Sequence, residues 1–173
     1  YSGYRQVGCG DIYASYKPKT ATDQTWSKGQ LLLAQEQVPF HNAPRDEHFE
    51  WGLEGAKLIQ LAADCFVLIG VCFLPLAAGA SGTRQRVFLA AASQLTGPYL
   101  PLGLPFRPSQ GQGENGHPDT LIEGNQLWVI YQERRGDGQP WYLRQAVLDL
   151  PSLESFVRGR LTAAQQPDYH QTI

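Results

Sequence analysis

The sequence predicts an all-β fold made of antiparallel blades of the β-propeller type. Three observations predict it. Eighteen Gly and twelve Pro fall between apolar runs, which argues against long helices and for many short strands. The stretch Glu54-Gly-Ala-Lys-Leu-Ile is echoed 63 residues later, from position 54 to position 117, by His117-Pro-Asp-Thr-Leu-Ile. After each comes a polar break, an apolar strand, a turn and another strand. Finally, the ending Val38-Pro-Phe40 recurs as Leu104-Pro-Phe106. Units of about four antiparallel strands with a period longer than ~40 residues point to propeller blades, and a sandwich of the same strands is the structural alternative.

The elements follow in order. Tyr4-Arg-Gln-Val7 and Asp11 to Tyr16 form the first strands, with Ile12, Ala14 and Tyr16 alternating against Tyr13 and Ser15. A polar loop from Lys17 to Asp23 leads to the strand Gln30 to Ala34. Residues 41–50 are a charged connector that carries Asp46 and His48 and is too polar to be buried as a whole. The second unit has strands over Ala56 to Leu61, Phe66 to Leu74 and Arg86 to Ser93. The Gly- and Gln-rich stretch 109–116 reads as a loop. The third unit has strands over His117 to Ile122, Leu127 to Gln132 and Trp141 to Leu148, with Gly124-Asn and Asp137-Gly supplying hairpin turns. Leu150 to Arg158 predicts a short helical turn, and the polar tail beyond it a frayed end or an added strand. The blade units are thus 1–40, 54–106 and 117–150, with a tail over 151–173, in one partial domain.

Composition bounds the partners. A net charge of −2, with no basic stripe, makes nucleic acid and anionic membrane poor partners. The apolar run from Cys65 to Ala80 falls short of the ~20 residues of a spanning helix and contains Pro75, so it reads as a buried strand and loop. Of three cysteines, Cys65 and Cys72 sit in or beside that strand and read as buried thiols. The chain opens at Tyr1 and contains no methionine, so a missing natural N-terminus is the expectation, and no compartment is indicated.

Trp51-Gly-Leu-Glu-Gly-Ala-Lys-Leu-Ile, an Ala-Ala-Ser strand and then Thr96-Gly-Pro-Tyr99 resemble one blade of the five-bladed β-propeller glycosidases, the arabinanase, β-xylosidase and α-L-arabinofuranosidase group. Gly116-His117, followed by a strand and Trp128-Val-Ile-Tyr131, resembles the next blade. The resemblance implies a partial propeller of about two and a half to three blades and a carbohydrate partner. It also implies that Glu54 is a general acid. The neighbouring Trp51 would offer a sugar-stacking face and a drier setting that raises the carboxyl pKa. His117 and Asp119 would line the inner surface. No cofactor is expected, although the resemblance places a central metal ion near the equivalent histidine. For Glu54 an exposed turn carboxylate is the bland alternative. For His117 it is a hydrogen-bonded structural imidazole, since no second His or Cys stands at ligand spacing. Asp46 and His48 either line the mouth or are solvated.

Two departures stand out. Ala56 occupies the family's usual Pro position, and no Asp lies in a motif matching the catalytic base. Asp11 precedes a strand that reads as an outer one. Glycoside hydrolysis needs two carboxylates flanking the sugar, so three possibilities follow. The chain is a piece of a longer product, or it pairs with a second copy to complete the ring, or it is a non-catalytic module that binds glycans or builds assemblies.

Overall fold

The computed structural model describes residues 2–4, 10–17, 26–41, 52–75, 83–108 and 113–165. They form three antiparallel sheets stacked face to face. The first contains β1 (Ser2–Tyr4), β2 (Gly10–Ala14) and β3 (Gln30–Leu33), in that order, followed by a 3-10 turn over Gln35–Gln37. The second is the four-stranded meander β4 (Glu54–Ala62), β5 (Cys65–Pro75), β6 (Thr83–Ala92) and β7 (Leu100–Gly103). The third, β8 (Glu114–Glu123), β9 (Gln126–Arg134) and β10 (Tyr142–Asp149), leads into helix α1 (Leu150–Gln165). The all-β, blade-type architecture is as the sequence predicts.

The middle sheet explains the near-continuous apolar run of β5. Successive side chains point to opposite faces, and both faces are covered. Phe66, Leu68 and Cys72, with Phe88, Ala90 and Ala92 of β6, pack with Ile12, Leu32, Leu33 and Val38 of the first unit. Cys65, Val67 and Ile69, with Val87, Leu89 and Ala91, pack with Leu127, Val129 and Tyr131 of β9 and with Leu153 and Val157 of α1. Both cysteines are free and buried, and burial pushes the Cys72 thiol up to about 12.

The repeated Pro-Phe endings do the same work twice. Phe40 lies against Phe88 of the middle sheet, ring centroids 6.4 Å apart, and Phe106 stacks on Tyr131 of the third sheet at 4.7 Å. Each unit therefore closes by placing a phenylalanine on the sheet that follows.

Three expectations are corrected. The helix is 16 residues long, not a short turn. Asp149 accepts from both the backbone N–H (2.9 Å) and the hydroxyl (2.7 Å) of Ser152, an N-terminal cap, and Leu150, Leu153, Val157 and Leu161 fall on one face against the core. Strand β8 starts at Glu114, so the end of the expected loop is buried strand. The apolar content of β9 reads as core for both Trp128 and Tyr131, but they lie on opposite faces of the strand, and only Tyr131 packs on the middle sheet. No described helix is long and apolar enough to cross a membrane.

Candidate functional site

The first residues of β2, β4 and β8 meet at one end of the stacked sheets, the mouth. The Leu53 N–H donates to the Gly10 carbonyl at 2.9 Å, which fixes the start of β4 beside the start of β2. Gly52 permits this approach: a Cβ there would lie 2.1 Å from the Gly10 Cα. Glu54 follows as the first residue of β4, half-buried, and no described residue pairs with its carboxylate.

Asp11, the residue after Gly10, is thereby brought to the same end. Asp11 stands on β2, the middle strand of its sheet, which packs on β4 as β6 packs on β8. Its chemistry is nonetheless structural. Asp11 is buried, its Oδ1 accepts the Gln35 N–H at 3.0 Å, and the Tyr13 hydroxyl donates to Oδ2 at 3.4 Å. It secures the corner between β3 and the 3-10 turn.

Both inner strands carry a β-bulge just inside the mouth. In β4, Glu54 pairs with Val71 and Lys57 with Ile69, so Gly55 and Ala56 oppose one residue. In β8, Gly116 pairs with Gln132 and Asp119 with Ile130, so His117 and Pro118 oppose one residue. Gly55 has φ +62° and His117 φ +49°, the one positive φ outside glycine among the described residues. The register therefore equates His117 with Gly55, and Glu54 with Gly116. The equivalence of Glu54 with His117 read from the sequence is off by one, and the offset at the bulge is 62 residues, from 54 to 116. The bulge turns His117 out to solvent, where its Nδ1 contacts the side-chain amide of Gln132.

Asp119 reaches the Lys57 Nζ at 3.2 Å and also accepts the Thr120 N–H at 2.9 Å. The Thr120 bond, and then Lys57, hold its carboxyl below the usual carboxylate range. Most of the Asp119 side chain remains open to solvent.

Behind the bulge lies a group that sequence reasoning missed. Strand β7 pairs with β6 only over Leu89 to Ala91, so the N–H groups of Gln85 and Val87 lack a strand partner on that side. Side chains of β8 supply the acceptors: Glu114 Oε2 takes the Gln85 N–H at 2.9 Å, and Asn115 Oδ1 takes the Val87 N–H at 2.8 Å. Asn115 also donates to the Phe106 carbonyl at 3.1 Å. The buried Glu114 is ion-paired with Arg134 and has Arg84 at 3.8 Å. Arg84 in turn forks onto both Asp137 oxygens at 2.6 and 3.0 Å, holding that carboxyl below its usual range. The sequence signal was present: two polar residues, Glu114 and Asn115, immediately before the Gly-His-Pro of an otherwise alternating strand.

Trp51, Asp46 and His48 lie outside the described residues. Among the described residues no three His, Cys, Asp or Glu side chains converge as a metal set, and the Nδ1 of His117 is engaged by Gln132. The described mouth thus offers one half-buried, unpaired carboxylate, an exposed imidazole on a bulge and an exposed, lysine-paired aspartate.

No family model matches the chain, and no curated protein does. Two solved structures of the α-L-arabinanase of Cellvibrio cellulosa show a distant likeness. The one in complex with arabinohexaose has 12% identity and a TM-score of 0.45 over 89% of this chain and 78% of that one. The other has 12% identity and a TM-score of 0.42 over 84% and 71%. At these values the likeness assigns neither family nor activity.

Proposed function

We propose that the chain is a carbohydrate-active domain of the glycoside hydrolase kind, with Glu54 as the general acid and Trp51, His117 and Asp119 as sugar contacts. One observation carries this reading. The other described carboxylates of the mouth are committed: Asp11 to the Gln35 N–H, Glu114 and Asp137 to arginines, Glu133 to Arg144, and Asp119 to Lys57. Glu54 alone has no described partner, is half-buried and stands at the start of an inner strand. A carboxyl free to hold and release a proton at a sugar oxygen needs that combination. The motif around it supports the sugar as substrate, since it resembles the glycosidase blade. The exposed imidazole of His117 and the outer oxygen of Asp119 are suited to hydroxyl groups.

A second reading, a glycan-binding module without hydrolysis, is favoured by one fact: no second uncommitted carboxylate accompanies Glu54 among the described residues. Aryl arabinosides, xylosides and mannosides, assayed with the wild type and Glu54→Gln, separate the two. A general acid predicts a loss of about 10²- to 10⁴-fold in rate with sugar binding retained. Equal rates would remove Glu54 from the chemistry. Binding without turnover in the wild type would favour the module.

A further inference from the structure

The two bulges give a common register for the middle and third sheets, and the comparison exposes an unfilled face. Three residues beyond the bulge of β4, the cross-strand row Ile59–Val67–Ala91 is covered by the third sheet, at 4%, 0% and 0% exposure. Three residues beyond the bulge of β8, the matching row is Leu121–Trp128–Val147, with Leu121 61% and Val147 42% exposed. The buried indole N–H of Trp128 has no hydrogen-bond partner among the described residues. The next row repeats the contrast: Ile69 is 0% exposed and its counterpart Ile130 45%. Nearer the mouth, Val87 is 0% exposed and its counterpart Leu143 80%. The third sheet therefore carries, uncovered, the same apolar face that the middle sheet buries under a following antiparallel sheet.

We propose that a second copy of this chain covers that face with its own first sheet, and that two copies close a ring in which this contact occurs twice. The first sheet has the complementary deficit. Its cross-strand pair Tyr13 and Leu31 lies on the side opposite Ile12, which packs on the middle sheet, and Leu31 is 41% exposed. Trp26 and Tyr16 flank it as exposed aromatics. Charge fits as well. Strands β2 and β8 both start at the mouth, so Lys17 and Lys28 lie at the far end of the first sheet, and Glu123 and Asp149 at the far end of the third. A two-fold axis along the ring keeps both mouths on one side and brings these far ends together, acid against base. Each chain then uses both end faces, which closes the assembly and leaves no open sheet face to polymerise. A stable contact needs about 800 Å² from each partner, and the closed ring makes two.

Light scattering on the whole chain at micromolar concentration tests the proposal. The expected result is twice the 19.2 kDa chain mass. Leu121→Glu and Leu143→Glu alter exposed side chains on the face, so each should weaken the dimer by at least about tenfold in Kd with an unchanged far-ultraviolet spectrum, since burying a carboxylate against apolar side chains is costly. Glu123→Lys should weaken it as well, and Lys28→Glu in the same chain should restore it. A wild type at single-chain mass would overturn the proposal. So would a dimer indifferent to these substitutions, which must use another surface, and so would open oligomers growing with concentration.

Discussion

The Lys57 Nζ lies 3.2 Å from the Asp119 Oδ1, joining the first strand of the middle sheet to the first strand of the third at matching places, one residue past each bulge. The contact aligns the two mouths. Asp119 has its carboxyl lowered from 3.8 first by the Thr120 N–H and then by Lys57. Lys57→Ala should therefore raise the Asp119 pKa without bringing it fully back to the ordinary value, as read by carboxyl carbon chemical shifts during a pH titration. The sign for stability follows. A carboxylate depressed in the folded state contributes above its unfolded value, and the contribution fades as pH falls through the folded one. Wild type should lose this increment in acid, and Lys57→Ala should have less of it to lose. Identical titrations in the two proteins would mean that the ion pair does not form in solution.

Glu114 is buried beneath two arginines. Glu114→Gln keeps an acceptor for the Gln85 N–H but removes the charge that Arg134 and Arg84 face, and Arg84 is itself buried. Removing one partner of a buried ionic group is costly, and Asp137 still serves Arg84, so a loss of about 3 kcal/mol in urea unfolding is expected. A loss below about 1 kcal/mol would show that Asp137 alone satisfies the arginines.

The bulge positions make opposite demands on side chains. His117→Val should destabilise by about 1–3 kcal/mol, because a β-branched side chain tolerates φ +49° poorly, whereas His117→Gly should stay within about 1 kcal/mol of wild type. If His117 contacts sugar as proposed, His117→Gly will lose glycan affinity while keeping its melting temperature, a split that a purely structural histidine would not give.

Much of the fold could be read from the chain because its signals are local. Alternation in β2, the apolar run of β5 buried on both faces, and the turns at Gly124 and Gly138, both at positive φ, are properties of a few adjacent residues. The paired Phe40 and Phe106 were legible as a repeat. The register was not. Matching Leu58-Ile59 to Leu121-Ile122 aligns identical letters, but counting from the two bulges sets Ile59 at the place of Leu121, because the first residue of each bulge is Gly55 in β4 and His117 in β8. A one-residue slip in a strand exchanges its faces, which is why Glu54 and His117 seemed equivalent. Helix α1 was underread because Pro151 looks like a stop, whereas within the first turn after the Asp149 cap a proline is tolerated. The ion pairs of Glu114 and Asp119 are made with partners 20 or more residues away.

The middle sheet is covered on both faces, while each end sheet has one face turned outward. Structural opening should follow that asymmetry. Amides of β5 and β6 can exchange with solvent only when both neighbours have come away, so they report the opening of the whole chain. Those of β3 and β10 report the loss of a single contact. Interrupting the polypeptide at either end of the stack thus removes one layer and leaves a two-layered remainder, but interrupting β5 or β6 removes the element on which both neighbours were folded.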